Sequence, residues 1–245
     1  MAISFQRTTY SGHTPEIWRG ECKILPGGFK PKQTFPNGTV LHRGTPIEVD
    51  YSDMSAAVVK TAKVVTGGTT TKPRIAKGHY FVVGDVVTKY GVGASSPTVN
   101  AIDTANADYD VLTLSAAISG LTANDVLVEA TDYGYYTAAE GDTGALLVKA
   151  SGASTGEINA ASVTPYKGEG TVAAGDYVVL KAAAPKYTPN AVVGAVLEFD
   201  GKGIPTIDAA YEAVVLYPSL LFPILPEWLN GFSLVCNPSI KLIKQ

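Results

Sequence analysis

From residue 39 onward the apolar positions fall in short bursts, and Gly, Asn, Asp or Ser separates each burst from the next. Bursts of about four to eight residues between turn signals predict strands, whereas an amphipathic helix carries its stripe over about three turns or more. Two strands open the series. Thr39–Leu41 is entered through the Asn37-Gly38 turn and left through Arg43-Gly44, and Pro46–Asp50 sets Ile47 and Val49 on one face and Glu48 on the other. The stretch 56–65 admits two readings. Its β-branched content favours a strand, and Ser52 or Ser55 offers a cap for a short helix.

The β pattern is clearest over 73–185. Val126-Leu127-Val128-Glu129-Ala130, Leu146-Leu147-Val148-Lys149-Ala150 and Val178-Val179-Leu180-Lys181-Ala182 share one form: three apolar residues, a charge, then Ala. Gly84-Asp85, Asn124-Asp125 and Gly175-Asp176 stand ahead of strands. At such places Gly or Asn accepts a positive φ and Asp bonds nearby backbone N–H groups, so the chain turns. The spacings are unequal, so this is a reused local device and not a solenoid repeat. The stretch 98–114 alternates around a polar centre and predicts a hairpin with a long loop, and 151–156 reads as an exposed loop.

Toward the end, 191–199 predicts a strand running into a hairpin turn at Asp200-Gly201. The stretch 206–216 predicts a helix, capped by Thr206 or Asp208, with Ile207, Ala210, Tyr211, Val214 and Val215 on a shared face; a strand over 211–216 is the competing reading. Pro218, Pro223 and Pro226 then forbid a regular helix through 216–229, and Asn230-Gly231 closes a turn. The expected fold is mainly β, built of small β-sandwich or barrel domains. Its zones are an irregular N-terminal arm with the first strands (1–72), a β domain (73–185), and a C-terminal strand with a Pro-rich oligomerisation segment (186–245).

Composition narrows the classes. The 245 residues suit one or two domains, 46% hydrophobic content supplies a core, and 25 Gly with 15 Pro agrees with many turns. The balance of 19 basic and 22 acidic side chains gives −3 and disfavours bulk attachment to nucleic acid. No apolar run approaches the ~20 residues of a membrane span, and no secretory leader is expected from the first residues. Two Cys, Cys22 and Cys236, exclude a disulfide framework and suit free thiols in a reducing cytoplasm. Asn37-Gly38-Thr39 reads as a turn rather than a glycosylation site.

Most searches for chemistry end in structural readings. Gly152-Ala153-Ser154-Thr155-Gly156 matches the nucleophile-elbow pattern, yet His13, His42 and His79 all precede it and no helical stripe follows. Gly91-Val92-Gly93 lacks the third Gly of a dinucleotide loop. Asp103, Asn106, Asp108 and Asp110 gather oxygen donors, but the spacing fits no EF-hand and suits a loop that caps its own backbone. No metal and no cofactor is therefore expected. Tyr109, Tyr133, Tyr135 and Tyr136 are surface-binding candidates, because each offers a rigid face with one polar end; edge-strand packing is the plainer alternative. Leu220, Leu221, Phe222, Ile224, Leu225, Trp228 and Leu229 are candidates for an oligomer interface, since a Pro-broken segment needs cover from its own core or from a neighbour.

The segments HYFVVGDVV (79–87), TVNAIDTANADYDVLTL (98–114) and ANDVLVEATD (123–132) resemble the head fibre proteins of tailed phages. The stretch NAVVGAVLEFDGKGIPTIDAAYEAVVLYPSLLFPILPEWLNG (190–231) is similar to the C-terminal part of such proteins in phages of gut bacteria. The resemblance implies a non-enzymatic virion component on the capsid exterior, assembled in the host cytoplasm. It implies a homotrimer bound to the major capsid protein, with no nucleic acid and no membrane as partners, that aids attachment to host or surface glycans. The absence of heptads points to a compact decoration role and to a trimer held by β or Pro-rich contacts. The rival readings are a carbohydrate-binding β module or adhesin domain using the tyrosines and, behind it, an enzyme acting through Ser154.

Overall fold

The computed structural model describes residues 17–90, 96–131, 134–137, 146–150, 163–165, 178–181, 185–216, 220 and 222–243. The chain is mainly β, and its strands group into barrel-like sheets.

The first barrel begins with β1 (Lys23–Pro31), β2 (Thr39–Leu41), β3 (Pro46–Asp50) and β4 (Ser55–Val58). The second is built from β5 (Thr61–Val65), β6 (Arg74–Ala76), β7 (Val87–Lys89), β8 (Val99–Asp103), β9 (Tyr109–Leu114) and β10 (Val126–Glu129). Next come β11 (Gly134–Thr137), β12 (Leu146–Ala150), β13 (Val163–Pro165) and β14 (Val178–Lys181), which form an antiparallel sheet of their own in the order β11-β14-β12-β13. The chain then returns to the first barrel through β15 (Ala191–Val193), β16 (Leu197–Phe199) and β17 (Ile207–Leu216). It ends with β18 (Leu229–Asn230), β19 (Ser233–Leu234) and β20 (Ile240–Ile243).

Closure of the first barrel depends on residues far apart in sequence. β1 pairs with β4 on one edge and β17 on the other, and the ring β1-β4-β3-β15-β17 closes on itself. Phe29, Phe35, Leu41, Ile47, Ile207 and Phe199 fill it. In the second barrel the order is β7-β10-β5-β6-β9-β8, and a Val86–Thr98 bridge joins its two ends. The alternation in β9 puts Asp110, Leu112 and Leu114 inward, and Leu112 and Leu114 join Ile75, Val87 and Leu127 in a separate core.

Four expectations need correction. The zones 1–72 and 186–245 are one body, since strands from both make the first barrel, and the second barrel starts at Thr61 rather than near residue 73. The stretch 206–216 is a strand, as the competing reading partly held. Ile207 and Ala209 face the first core, while Ala210, Ala213 and Val215 face a further cluster outside the barrel. Burial on both faces hides the period of two and leaves spacings that mimic a helix. The stretch 56–65 is two strands broken at Val59-Lys60, and the expected 191–199 strand is β15 and β16 broken at residues 194–196.

The Pro-rich segment finds cover within its own chain. A 3-10 turn at Pro226–Trp228 drops Trp228 onto the outer face of the first barrel, where Val192, Ala210, Val215, Ile224 and Leu225 enclose it. Phe222 turns the other way and lies 5.3 Å from the Tyr80 ring in the first core. Leu220 and Leu229 are half-buried, and Leu221 lies outside the described residues. Leu220 presses on Gly44, whose φ of +79° and 2.9 Å clearance to Leu220 Cδ2 at the Cβ position leave no space for a side chain. Phe222, Ile224, Leu225 and Trp228 are therefore covered by their own chain, one of the two covers that the sequence left open.

Trp228→Ala should lower the unfolding free energy by about 3–5 kcal/mol, as for other buried large-to-small changes. Urea denaturation followed by circular dichroism measures this, and a loss below about 1 kcal/mol would place the indole outside the core.

Candidate functional site

The densest charged chemistry lies in the seam between the two barrels. Lys60 is the last residue before β5, and its side chain is 1% exposed. Its Nζ donates to both Asp85 carboxylate oxygens, at 2.8 and 2.7 Å, and stands 3.6 Å from Glu129 Oε2. The Phe35 ring lies 5.4 Å from the same nitrogen. Glu129 ends β10 and also accepts from Lys186 Nζ at 2.9 Å and from Gln33 Nε2 at 3.0 Å. Two ammonium groups thus face two carboxylates; that of Lys60 is enclosed, and that of Lys186 keeps contact with water. Hydrogen bonding to Glu129 holds the Lys186 pKa above its ordinary value.

Backbone contacts bring these groups together. Gln33 reaches Val58 with both ends of its amide, its Oε1 accepting Val58 N–H at 2.6 Å and its Nε2 donating to Val58 O at 2.9 Å, so it stands in for a missing strand neighbour at the end of β4. Asp85 Oδ2 accepts Val82 N–H at 2.8 Å, the turn-capping role expected of the Gly84-Asp85 motif. Glu129 N–H donates to Lys60 O, Lys186 N–H to Glu129 O, and Ala130 bridges Pro185. The seam therefore joins both barrels and the root of the inserted sheet.

A second cluster sits under a cleft of about 640 Å³ between the 34–36 loop and the second barrel. His79 Nδ1 accepts Phe81 N–H at 3.1 Å, which puts the ring proton on Nε2, and that N–H donates to Asp110 Oδ2 at 3.1 Å. Lys77 Nζ donates to the other oxygen, Oδ1, at 2.5 Å. Burial holds the His79 pKa below the usual 6.5 even though Asp110 pulls it upward. Both ring nitrogens are engaged, so the imidazole has no free atom with which to take a proton from a substrate.

The remaining candidates separate cleanly. Asp103 Oδ1 accepts Ala105 N–H and Asn106 Oδ1 accepts Asp108 N–H, so this loop caps its own backbone while Asp110 belongs to the His79 cluster. Among the described residues no group of three or more His, Cys, Asp or Glu gathers to hold a metal. Tyr109 opens β9 rather than sitting in the loop, and the Arg74 guanidinium lies 4.4 Å from its ring centroid, so one face is already stacked. Tyr135 and Tyr136 lie on β11, paired with Leu180 and Val179. Tyr133 and the 152–156 motif with Ser154 lie outside the described residues. Cys22 and Cys236 are free thiols. Among the described residues no helix is long and apolar enough to cross a membrane. Sequence reasoning missed the seam altogether. Lys60, Gln33 and Lys186 each look like solvated side chains, and only the oddity of one Lys within an apolar run hinted otherwise. No protein-family model, curated protein or solved structure matches the chain.

Lys60→Met leaves Asp85 and Glu129 facing each other without their shared cation, and the expected loss is about 3–5 kcal/mol of unfolding free energy. Lys186→Met, at an exposed ammonium, should cost less than about 1 kcal/mol in the same urea titration. Equal losses would contradict the central role of Lys60.

The His79 shift also sets a pH dependence. With a folded pKa below the unfolded 6.5, the unfolded chain binds the extra proton first. The contribution is complete above 6.5 and is lost as pH falls from there through the folded value. Denaturation midpoints between pH 7.5 and 5 should decline in the parent protein and decline less in His79→Gln; parallel curves would exclude this origin.

Proposed function

We propose that this chain is a non-enzymatic structural protein of a virion, a head fibre or decoration protein seated on the outer capsid surface of a tailed phage as a homotrimer. The resemblance of 79–87, 98–114, 123–132 and 190–231 to head fibre proteins supports this reading. The seam is the observation that carries the reading. Its buried charged groups satisfy one another across two barrels, an arrangement that favours a rigid displayed body over a mobile reactive cleft. Assembly contacts then fall to apolar side chains that the chain leaves uncovered beside its C-terminal segment. Phe232 at 69% exposure and Val235 at 53%, around the β18–β19 hairpin, replace the buried Phe222, Ile224, Leu225 and Trp228 in that role. An exposed apolar pair of this kind fits a heterologous, cyclic contact between three identical copies.

Size-exclusion chromatography with light scattering tests this directly. The expected mass is three times the 25.6-kDa chain. Phe232→Ser combined with Val235→Ser should reduce it to that of one chain without changing the circular dichroism spectrum. A parent protein that runs as one chain at micromolar concentration, or that fails to join capsids when co-expressed with a major capsid protein, would overturn the proposal.

A further inference from the structure

The mouth of the first barrel is built differently from the rest of its rim. Beyond the Phe29–Ile207 pair, β1 stays bonded to β4 on one side, with Lys30 N–H donating to Met54 O and Lys32 N–H to Ala56 O, both at 2.9 Å. On its other side the approach to β17 swings away as the loop Asp200-Gly201-Lys202-Gly203-Ile204-Pro205. The gap is a cleft of about 280 Å³. At its base lie the Phe35 and Phe199 rings, 5.0 Å apart and 6% and 7% exposed. Gly201 and Gly203 take φ of +73° and +69°, which bends the loop outward and leaves Ile204 83% exposed. Lys30 and Lys202 flank the opening, and among the described residues no carboxylate pairs with either ammonium. Asp200 lines the same cleft, but its Oδ1 is occupied by Lys202 N–H at 2.8 Å.

We propose that this mouth receives an acidic segment of a partner protein that carries one apolar anchor residue. The anchor lodges among Pro31, Ile204 and Pro205 above the two rings, and carboxylates on either side of it meet Lys30 and Lys202. Barrel mouths are recurrent binding sites, and apolar walls with a few charged groups at the rim suit such a mixed ligand. Two ammonium groups against one engaged carboxylate give the rim a positive balance in a chain of net charge −3, which favours an acidic ligand. A saccharide fits less well, since the exposed walls are Pro and Ile and the Phe faces are turned into the core. An added β-strand fits less well too. The N–H groups of residues 30 and 32 point to β4, so the backbone nitrogen aimed at the cleft belongs to Pro31, which has no proton to donate.

The test uses the full chain and a fluorescein-labelled peptide of sequence Glu-Asp-Phe-Asp-Glu, with anisotropy as the readout. Lys-Lys-Phe-Lys-Lys and sialyllactose serve as comparators. The acidic peptide should bind in a salt-dependent way. Lys30→Glu with Lys202→Glu should weaken it about tenfold or more, and Ile204→Asp should also weaken it, each with an unchanged circular dichroism spectrum. Four results would overturn the proposal: no binding at millimolar protein, equal binding of the basic peptide, competition by sialyllactose, or undiminished binding by the charge-reversed variant. A drop in oligomer mass in that variant without peptide binding would mark the mouth as a contact between copies and overturn it as well. The inference is separate from the virion reading, because peptide anisotropy and particle mass are independent measurements.

Discussion

The placement of one ammonium group between two carboxylates governs how the barrels sit together. Lys60 Nζ is withdrawn from water, and desolvation of an isolated charge there would cost several kcal/mol. The cost is offset only when Asp85 and Glu129 arrive with it, and Glu129 also accepts hydrogen bonds from Gln33 and from the half-exposed Lys186. These groups come from the β4–β5 link, the entry to β7, the end of β10, the return to β15 and the segment after β1. A slip of Lys60, Asp85 or Glu129 leaves a buried charge unpaired, so the cluster selects one arrangement of the barrels over near alternatives. Greasy contacts alone are less discriminating, because Val59, Val128 and Trp228 in the same seam would tolerate small rotations.

That dependence follows from the nested path of the chain. The first barrel starts with β1, is interrupted after β4, and closes only when β17 pairs with β1. The second barrel is continuous in sequence, from Thr61 to Glu129, with β5–β6 and β8–β9 paired as neighbours and β10 returning to β5 and β7 over a span far shorter than that from β1 to β17. Loop-closure entropy favours local pairings, so the second barrel is the part able to form early and the first the part that waits for the C-terminal third. The bridge between Ala130 and Pro185 then brings both ends of the inserted sheet to the same place, and the insertion adds no separation to the strands it interrupts.

How far the fold was legible depended on whether a strand had one buried face or two. Thr39–Leu41, Pro46–Asp50 and the 98–114 hairpin announced themselves through turn residues and alternation. β17 did not, because Ile207 and Ala209 are buried on one side and Ala210 and Val215 on the other, which erases the alternation. The seam was less legible still. The Gly84-Asp85 motif was correctly a turn, yet the same carboxylate that caps Val82 N–H also grips Lys60. Glu129 looked like the outward charge at a strand end, and it is buried because Lys60 and Lys186 arrive from elsewhere in the chain. Local sequence encodes local bonds, and the second role of each residue depends on partners tens of residues away.

The buried Pro-rich segment constrains how identical copies can meet. For Trp228 to leave its pocket and enter a neighbour, a subunit would first give up about 3–5 kcal/mol of its own packing, and Leu225 and Ile224 would lose cover with it. A contact of ordinary size has to offset rotational and translational entropy as well, so exchange of this segment is an unfavourable route to assembly. Side chains already facing water carry no such penalty. Phe232 and Val235 lie on a hairpin pinned by Leu242 N–H to Phe232 O and by Val235 N–H to Trp228 O, so their exposure is held by backbone bonds and not by a loose loop. The bond that fixes Val235 at the surface runs to the residue whose indole is buried beneath. The Pro-rich segment therefore supports the hairpin that carries Phe232 and Val235.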